Sequence, residues 1–264
     1  MRARLSLLAL AFVLAACPSD KNKAAPPSDE LASQVRTQLA ERERKLTSYR
    51  FHGVTTDLAS NQSLGFKFAY RSPGKMRGET EGAQAHVFVF DGSSLKDLDV
   101  AAKKLTTFDL SALPKDKADA FLHQIFAPFV PEGFRAPLLP ATVTAAKTKA
   151  ATGDRDVAEL KASVADGAQS YAFTFRFGMP AMDLMDKAIQ GPEGASRVEV
   201  TQQTCDAKLG LCFPSEVVES HDGKATARTV LSDVAINGQV ADAEFVLAVP
   251  PGGTEEKRSL AAGP

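Results

Sequence analysis

Tryptophan is absent from the 264 residues, cysteine occurs three times, and no apolar run approaches the length of about 20 residues that a spanning helix needs. The four histidines, His52, His86, His123 and His221, stand singly, with no HxH, HExxH or Cys-rich spacing, so no metal-ligating pattern is present. A phosphate-cradling glycine loop is missing too. Basic and acidic residues nearly balance, 31 against 32, which excludes the basic stripe of a nucleic-acid or polybasic membrane surface. Asp91-Gly92-Ser93-Ser94 lacks the GxSxG elbow of a reactive serine and reads as a turn between strands. His221-Asp222-Gly223-Lys224 reads as a hairpin turn. The carboxylates fall mostly on helix faces and in turns, so nothing argues for catalysis, and neither a cofactor nor an enzyme is expected.

What is present begins with Arg2 and Arg4, an apolar run from Leu5 to Leu14, and Ala15, Ala16 and Cys17. A positive start, a short apolar run and a small-residue site make an export signal over 1–16. Leu14-Ala15-Ala16-Cys17 resembles the bacterial lipobox, which implies cleavage before Cys17 and lipidation of that residue. One acyl chain binds a membrane marginally, whereas two or more hold it. Residues 17–27 are polar and rich in Pro and Ala, the composition of a flexible tether. The expected layout is therefore signal 1–16, anchor and tether 17–27, one folded domain over 28–253 and a disordered tail over 254–264.

With Cys17 lipidated, Cys205 and Cys212 remain, and export places them in an oxidising compartment. The turn-like Asp206-Ala207-Lys208-Leu209-Gly210-Leu211 between them favours a disulfide that staples a hairpin over a redox pair, whose usual spacing is CxxC.

Leu31, Val35, Leu39 and Leu46 recur at helical spacing from Ser28 to about Ser48, an amphipathic helix. The period then becomes two. Phe66, Phe68 and Tyr70 alternate with Lys67, Ala69 and Arg71, and Tyr171, Phe173, Phe175 and Phe177 with Ala172, Thr174 and Arg176. Further strands are expected at Met76–Thr80, Ala85–Phe90, Ser94–Val100, Lys104–Asp109, Thr142–Thr152, Ala158–Val164, Arg197–Thr204, Phe213–Ser220 and Ala225–Ile236, with turns such as Ser72-Pro73-Gly74 and Asp222-Gly223. Helices are expected at Lys115–Phe126 and Pro180–Ile189, and an irregular stretch or short lid at Pro128–Pro140. The fold class is α+β, mostly β: one curved antiparallel sheet of about ten strands with helices over one face. Its aromatic face is either a packed core or an apolar pocket.

Two stretches together resemble the LolA and LolB family of periplasmic lipoprotein carriers and receptors. The first runs Phe68-Ala69-Tyr70-Arg71-Ser72-Pro73-Gly74-Lys75-Met76-Arg77, then Val87-Phe88-Val89-Phe90-Asp91-Gly92, then Leu95 and Leu98-Asp99. The second is Phe213-Pro214, Asn237-Gly238, Asp242-Ala243-Glu244-Phe245-Val246-Leu247 and Pro250-Pro251-Gly252. Leu95 and Leu98 stand where the family often has Trp and Tyr. The resemblance implies an incomplete β-barrel closed by helices, with a hydrophobic interior that receives acyl chains.

On that footing the chain is expected to be a lipid-anchored protein facing the periplasm of a Gram-negative cell, with the outer membrane favoured, that binds acyl chains of lipids or lipoproteins. The candidate lining is Phe66, Phe68, Tyr70, Phe88, Phe90, Phe173, Phe175 and Phe177, with Leu31, Val35 and Leu39 as a lid. A register slip would instead place Val87 and Val89 inside and turn Phe88 and Phe90 out. Arg71 and Arg77 are expected as turn residues near the mouth. A rival expectation is a sensor or scaffold lipoprotein whose filled interior supports binding of a protein partner; a lipid-ester hydrolase ranks third.

Overall fold

The computed structural model describes residues 30–130, 143–150, 154–166 and 169–260. The expected signal, Cys17 and the tether lie outside them, as does most of Pro128–Pro140. Helix α1 spans Glu30–Lys45, and six strands follow: β1 Ser48–Asp57, β2 Ser63–Arg71, β3 Lys75–Thr80, β4 His86–Phe90, β5 Ser94–Asp99 and β6 Lys104–Asp109. Helix α2, Lys115–Phe126, precedes β7 Thr144–Lys149, β8 Asp156–Asp166, β9 Gln169–Gly178, β10 Asp183–Gly191, β11 Gly194–Asp206, β12 Leu211–His221 and β13 Lys224–Ile236. A 3-10 turn, Asp242–Phe245, and β14, Thr254–Ser259, complete the described chain.

All the strands form one sheet in the order β14-β6-β5-β4-β3-β2-β1-β13-β12-β11-β10-β9-β8-β7. Each half is a meander, and the halves meet where β1 pairs antiparallel with β13. The chain must therefore pass from β6 to β7 across the whole sheet, and α2 lies on that crossing. The result is mostly β, a curved open sheet of 14 strands with two α-helices among the described residues.

Alternation sets the faces. In β2, Phe66, Phe68 and Tyr70 are buried while Lys67 is exposed. Pairing carries that face through Phe51, Gly53 and Leu231 to Val217 and onward to Phe175 and Phe177 in the other half. Both helices pack on this side. Leu122 and Phe126 of α2, with Phe129 just beyond it, join Phe66, Phe68, Tyr70 and Met76 in one cluster. Val35 and Leu39 of α1 join Ala158, Leu160, Phe177, Met182 and Leu184 in another. Such side chains contribute about 1.5–3 kcal/mol each on full burial.

Three expectations need correction. Pro180–Ile189 is not a helix but holds most of β10; Gly191-Pro192-Glu193-Gly194 turns it back onto β11, and Asp183 and Asp186 are fixed by cations on neighbouring elements. The tail expected to be disordered from 254 instead begins as a strand, since Thr254–Ser259 pairs with β6, while residues 261–264 lie outside the described residues. The strand number exceeds ten because β1, β10 and β14 add to those read from the sequence. The staple is present: Cys205 and Cys212 face each other across β11 and β12 and are bonded.

Two glycines let aromatic rings lie directly on the sheet. The Phe66 ring occupies the space of a β-carbon at Gly53, and the Phe129 ring approaches to 2.6 Å the position a β-carbon would take at Gly78. Replacing Gly78 with alanine should therefore overpack the α2 cluster and cost about 1–3 kcal/mol in thermal unfolding. Gly238→Ala, whose added carbon meets nothing nearer than 3.5 Å, should stay within about 0.5 kcal/mol of the parent.

Candidate functional site

The helical face of the sheet is the candidate site. Its two clusters are joined by α1, whose first turns lie over Phe177 and Leu160 and whose end delivers Leu46 to the α2 cluster. At the crossing point Arg42 is buried, with its guanidinium 4.3 Å from the Phe213 ring centroid and one nitrogen donating to the Cys212 carbonyl at 2.5 Å. A cation over an aromatic face and hydrogen-bonded to a carbonyl retains favourable partners out of water. Arg42 thus ties α1 to the disulfide hairpin.

The expected lining residues share this face but not one cluster. Phe66, Phe68 and Tyr70 are buried beneath α2, and Phe88 and Phe90 pack half-buried against the same cluster. Val87 and Val89 point the other way, which settles the register alternative. Phe173, Phe175 and Phe177 form a row in the other half, with successive centroids 6.3 and 6.5 Å apart and nearly parallel rings. Phe177 packs with Val35 and Leu39, while Phe175 and Leu31 sit half-buried at that cluster's margin.

Sequence reasoning missed the filling supplied by α2. Phe126 meets Phe68, and Phe129 meets both Phe66 and Phe88 edge-on, at centroid distances of 6.3, 5.9 and 6.2 Å. Phe121 meets Phe108 at 5.9 Å. The signal was the helical spacing of Phe121, Leu122, Ile125 and Phe126, followed by Phe129.

The opposite face differs between the halves. In the second half it carries a cross-strand charge row, in which Glu159 accepts from Arg176 at 2.8 Å and Asp186 lies between Arg176 and Arg197. Arg176, and then Lys161, hold the Glu159 carboxyl below its ordinary range. In the first half that face is apolar, with Ala69, Val89, Leu98 and Leu105, and it is covered by Val240, Phe245 and Leu247. Arg71 donates to the Val240 carbonyl and to Asp242, both at 3.1 Å, Lys75 to Asp242 at 2.8 Å, and Arg77 to the Glu244 carbonyl at 2.9 Å. Arg71 and Arg77 are therefore not mouth residues but clamps on the 240–247 strap. Asn237 fixes the strap's start, accepting from the Thr47 and Ser48 amides and donating to the Lys45 carbonyl.

A cleft of about 480 Å³ runs along the other side of α1, lined by Glu30, Ser33, Gln34, Thr37, Gln38 and Glu41. Among the described residues, no group of His, Cys, Asp and Glu could hold a metal ion.

No family model and no curated protein matches this chain. Among solved structures it is similar to a DUF1329 family protein from Desulfovibrio piger, with a TM-score of 0.54 and 8% identity over 83% of this chain and 98% of that one. A LolA superfamily protein from Nitrosomonas europaea matches with a TM-score of 0.50 and 11% identity over 81% of this chain and 97% of that one. The fold is LolA/LolB-like. In this LolA-like fold the two stretches that carried the resemblance are physical partners, because Arg71, Lys75 and Arg77 of the first grip Val240, Asp242 and Glu244 of the second.

Lys75 and Arg71 hold the Asp242 carboxyl below its ordinary value of 3.8. A carboxylate whose folded pKa is depressed contributes stability above its unfolded pKa and loses it as pH falls through the folded value. Asp242→Asn should therefore lower Tm at pH 7, and the gap to the parent should close below about pH 4; a gap unchanged at about pH 3 would remove the clamp from the account.

Proposed function

We propose that this chain is a lipid-anchored, non-enzymatic binding protein of the bacterial envelope that takes up acyl chains of lipids or lipoproteins against the helical face of its half-barrel. The observation that carries the reading is the character of the α2 filling: Leu122, Phe126 and Phe129 present only hydrocarbon to an apolar sheet. Displacing three such side chains forfeits about 5–9 kcal/mol, while an acyl chain of about ten methylenes recovers about 8 kcal/mol in the same place. Exchange of filling for ligand is thus near balance, and a small difference in cargo decides it. Half-buried Phe88, Phe90, Phe108, Phe121 and Phe175 give an incoming chain apolar surface to meet first.

The lipobox-like Leu14-Ala15-Ala16-Cys17 supports anchoring through Cys17, and with it an envelope location; Pro18, in place of aspartate, favours the outer membrane. A scaffold reading draws on a different observation, the closed packing of Phe66 and Phe68, which are 4% and 2% exposed. In that reading the filling never leaves, and a protein partner binds elsewhere.

Two measurements test these statements. Native mass spectrometry of the domain from Ser28 onward, purified from a Gram-negative periplasm, should show bound lipid that a fatty-acid probe displaces. Phe88→Glu and Phe175→Glu should each abolish it; a folded protein that takes up no probe transfers the argument to the scaffold reading. Full-length protein should fractionate with membranes and Cys17→Ala with the soluble periplasm, whereas identical fractionation would refute the anchor.

A further inference from the structure

Strand β14 is unlike its neighbours. Every other ladder in the sheet is antiparallel, and β14 lies parallel to β6, from Thr254 opposite Lys104 to Ser259 opposite Asp109. Parallel pairing is slightly the weaker kind. Of its six side chains only that of Glu256 is not exposed, so the strand adds backbone hydrogen bonds but little packing. Besides a long contact of 3.5 Å from the Thr107 hydroxyl to the Glu255 carboxylate, two side-chain features fix it. Glu256 pairs with Lys104 at 2.6 Å, and Leu260, four residues on, packs against the α2 cluster. The lead-in is a tight turn in which the Gly253 amide donates to the Pro250 carbonyl at 2.9 Å and Gly252 has φ +73°, a conformation natural to glycine. Little beyond that turn and one ladder need open to free the segment.

An exposed sheet edge is a template for another strand, and proteins protect such edges or use them for peptide recognition. We propose that the outer edge of β6 is a strand-acceptor site, occupied in this chain by its own Thr254–Leu260 and open to an extended segment of another protein. The resident segment defines the chemistry of the incoming one. It runs parallel to β6, carries a carboxylate at its third residue to meet Lys104, and bears an aliphatic side chain four residues later to cap the α2 cluster. Because that aliphatic group touches the cluster that packs beneath α2, occupancy of the edge and packing of α2 are physically joined.

The test uses the full chain. In a Glu256→Lys/Leu260→Asp variant the resident segment loses both fixed points, and a fluorescein-labelled peptide reproducing Thr254–Leu260 should bind it at least about tenfold more tightly than it binds the parent, whose edge is filled. A peptide carrying the same two changes should not bind. Hydrogen exchange on the unmodified protein supplies an independent reading: amides of Thr254–Ser259 should exchange well ahead of those of β1 and β2. Absence of peptide binding to the variant, equal binding to variant and parent, or β14 amides as protected as those of β1 would each overturn the proposal.

Discussion

An open sheet with one apolar face cannot bury that face by itself, and this constraint organises the molecule. The two meanders join at β1 and β13, which makes a single surface too wide for one helix. Two helices cover it from opposite directions: α1, which precedes the first meander, lies mainly over the second, and α2, which links them, lies over the first. Contact is made largely through hydrocarbon, and Arg42, at the crossing, is one of a few polar groups buried there, with the Tyr49 hydroxyl another. Covering the face is therefore a matter of apolar volume rather than of specific bonds, and a ligand of matching volume meets the same requirement.

The reverse side shows how strands with two covered faces are recognised. Ala69, Val89, Leu98 and Leu105 lie between partners on the helical face, and the 240–247 strap closes over them. Cationic side chains at the β2–β3 corner hold that strap through carbonyls and Asp242. In the second half a row of alternating charge does without any strap, since Glu159 and Asp186 find cations on adjacent strands. One sheet thus carries an apolar, covered reverse face beside a polar, solvated one.

Much of this was legible in the residues. Period-two alternation located the strands on either side of the junction, helical spacing located α1, the stretch after Pro114 was read as the second helix, and the Cys205–Cys212 turn announced its staple. Three elements were not legible for physical reasons. Segment 183–191 mixes apolar and acidic residues at near-helical spacing, and its acids are satisfied by Arg155, Arg176, Arg197 and Gln203, all outside the segment. Strand β14 has no apolar alternation, because an edge strand held by backbone pairing needs none. The split of the aromatic residues into two clusters depends on where the helices land, which local pattern does not encode. The alternative between Phe88 and Val89 as inward residues was likewise a question of pairing rather than of composition.

The most direct measurement of the central claim is an isotope-filtered NMR experiment with a carbon-13-labelled fatty acid and unlabelled protein. The account predicts intermolecular contacts from the acyl chain to Phe66, Phe68 and Phe88, together with loss of the Phe129–Phe66 and Phe126–Phe68 contacts of the free protein. Acyl contacts confined to exposed residues, with the α2 filling unmoved, would contradict it.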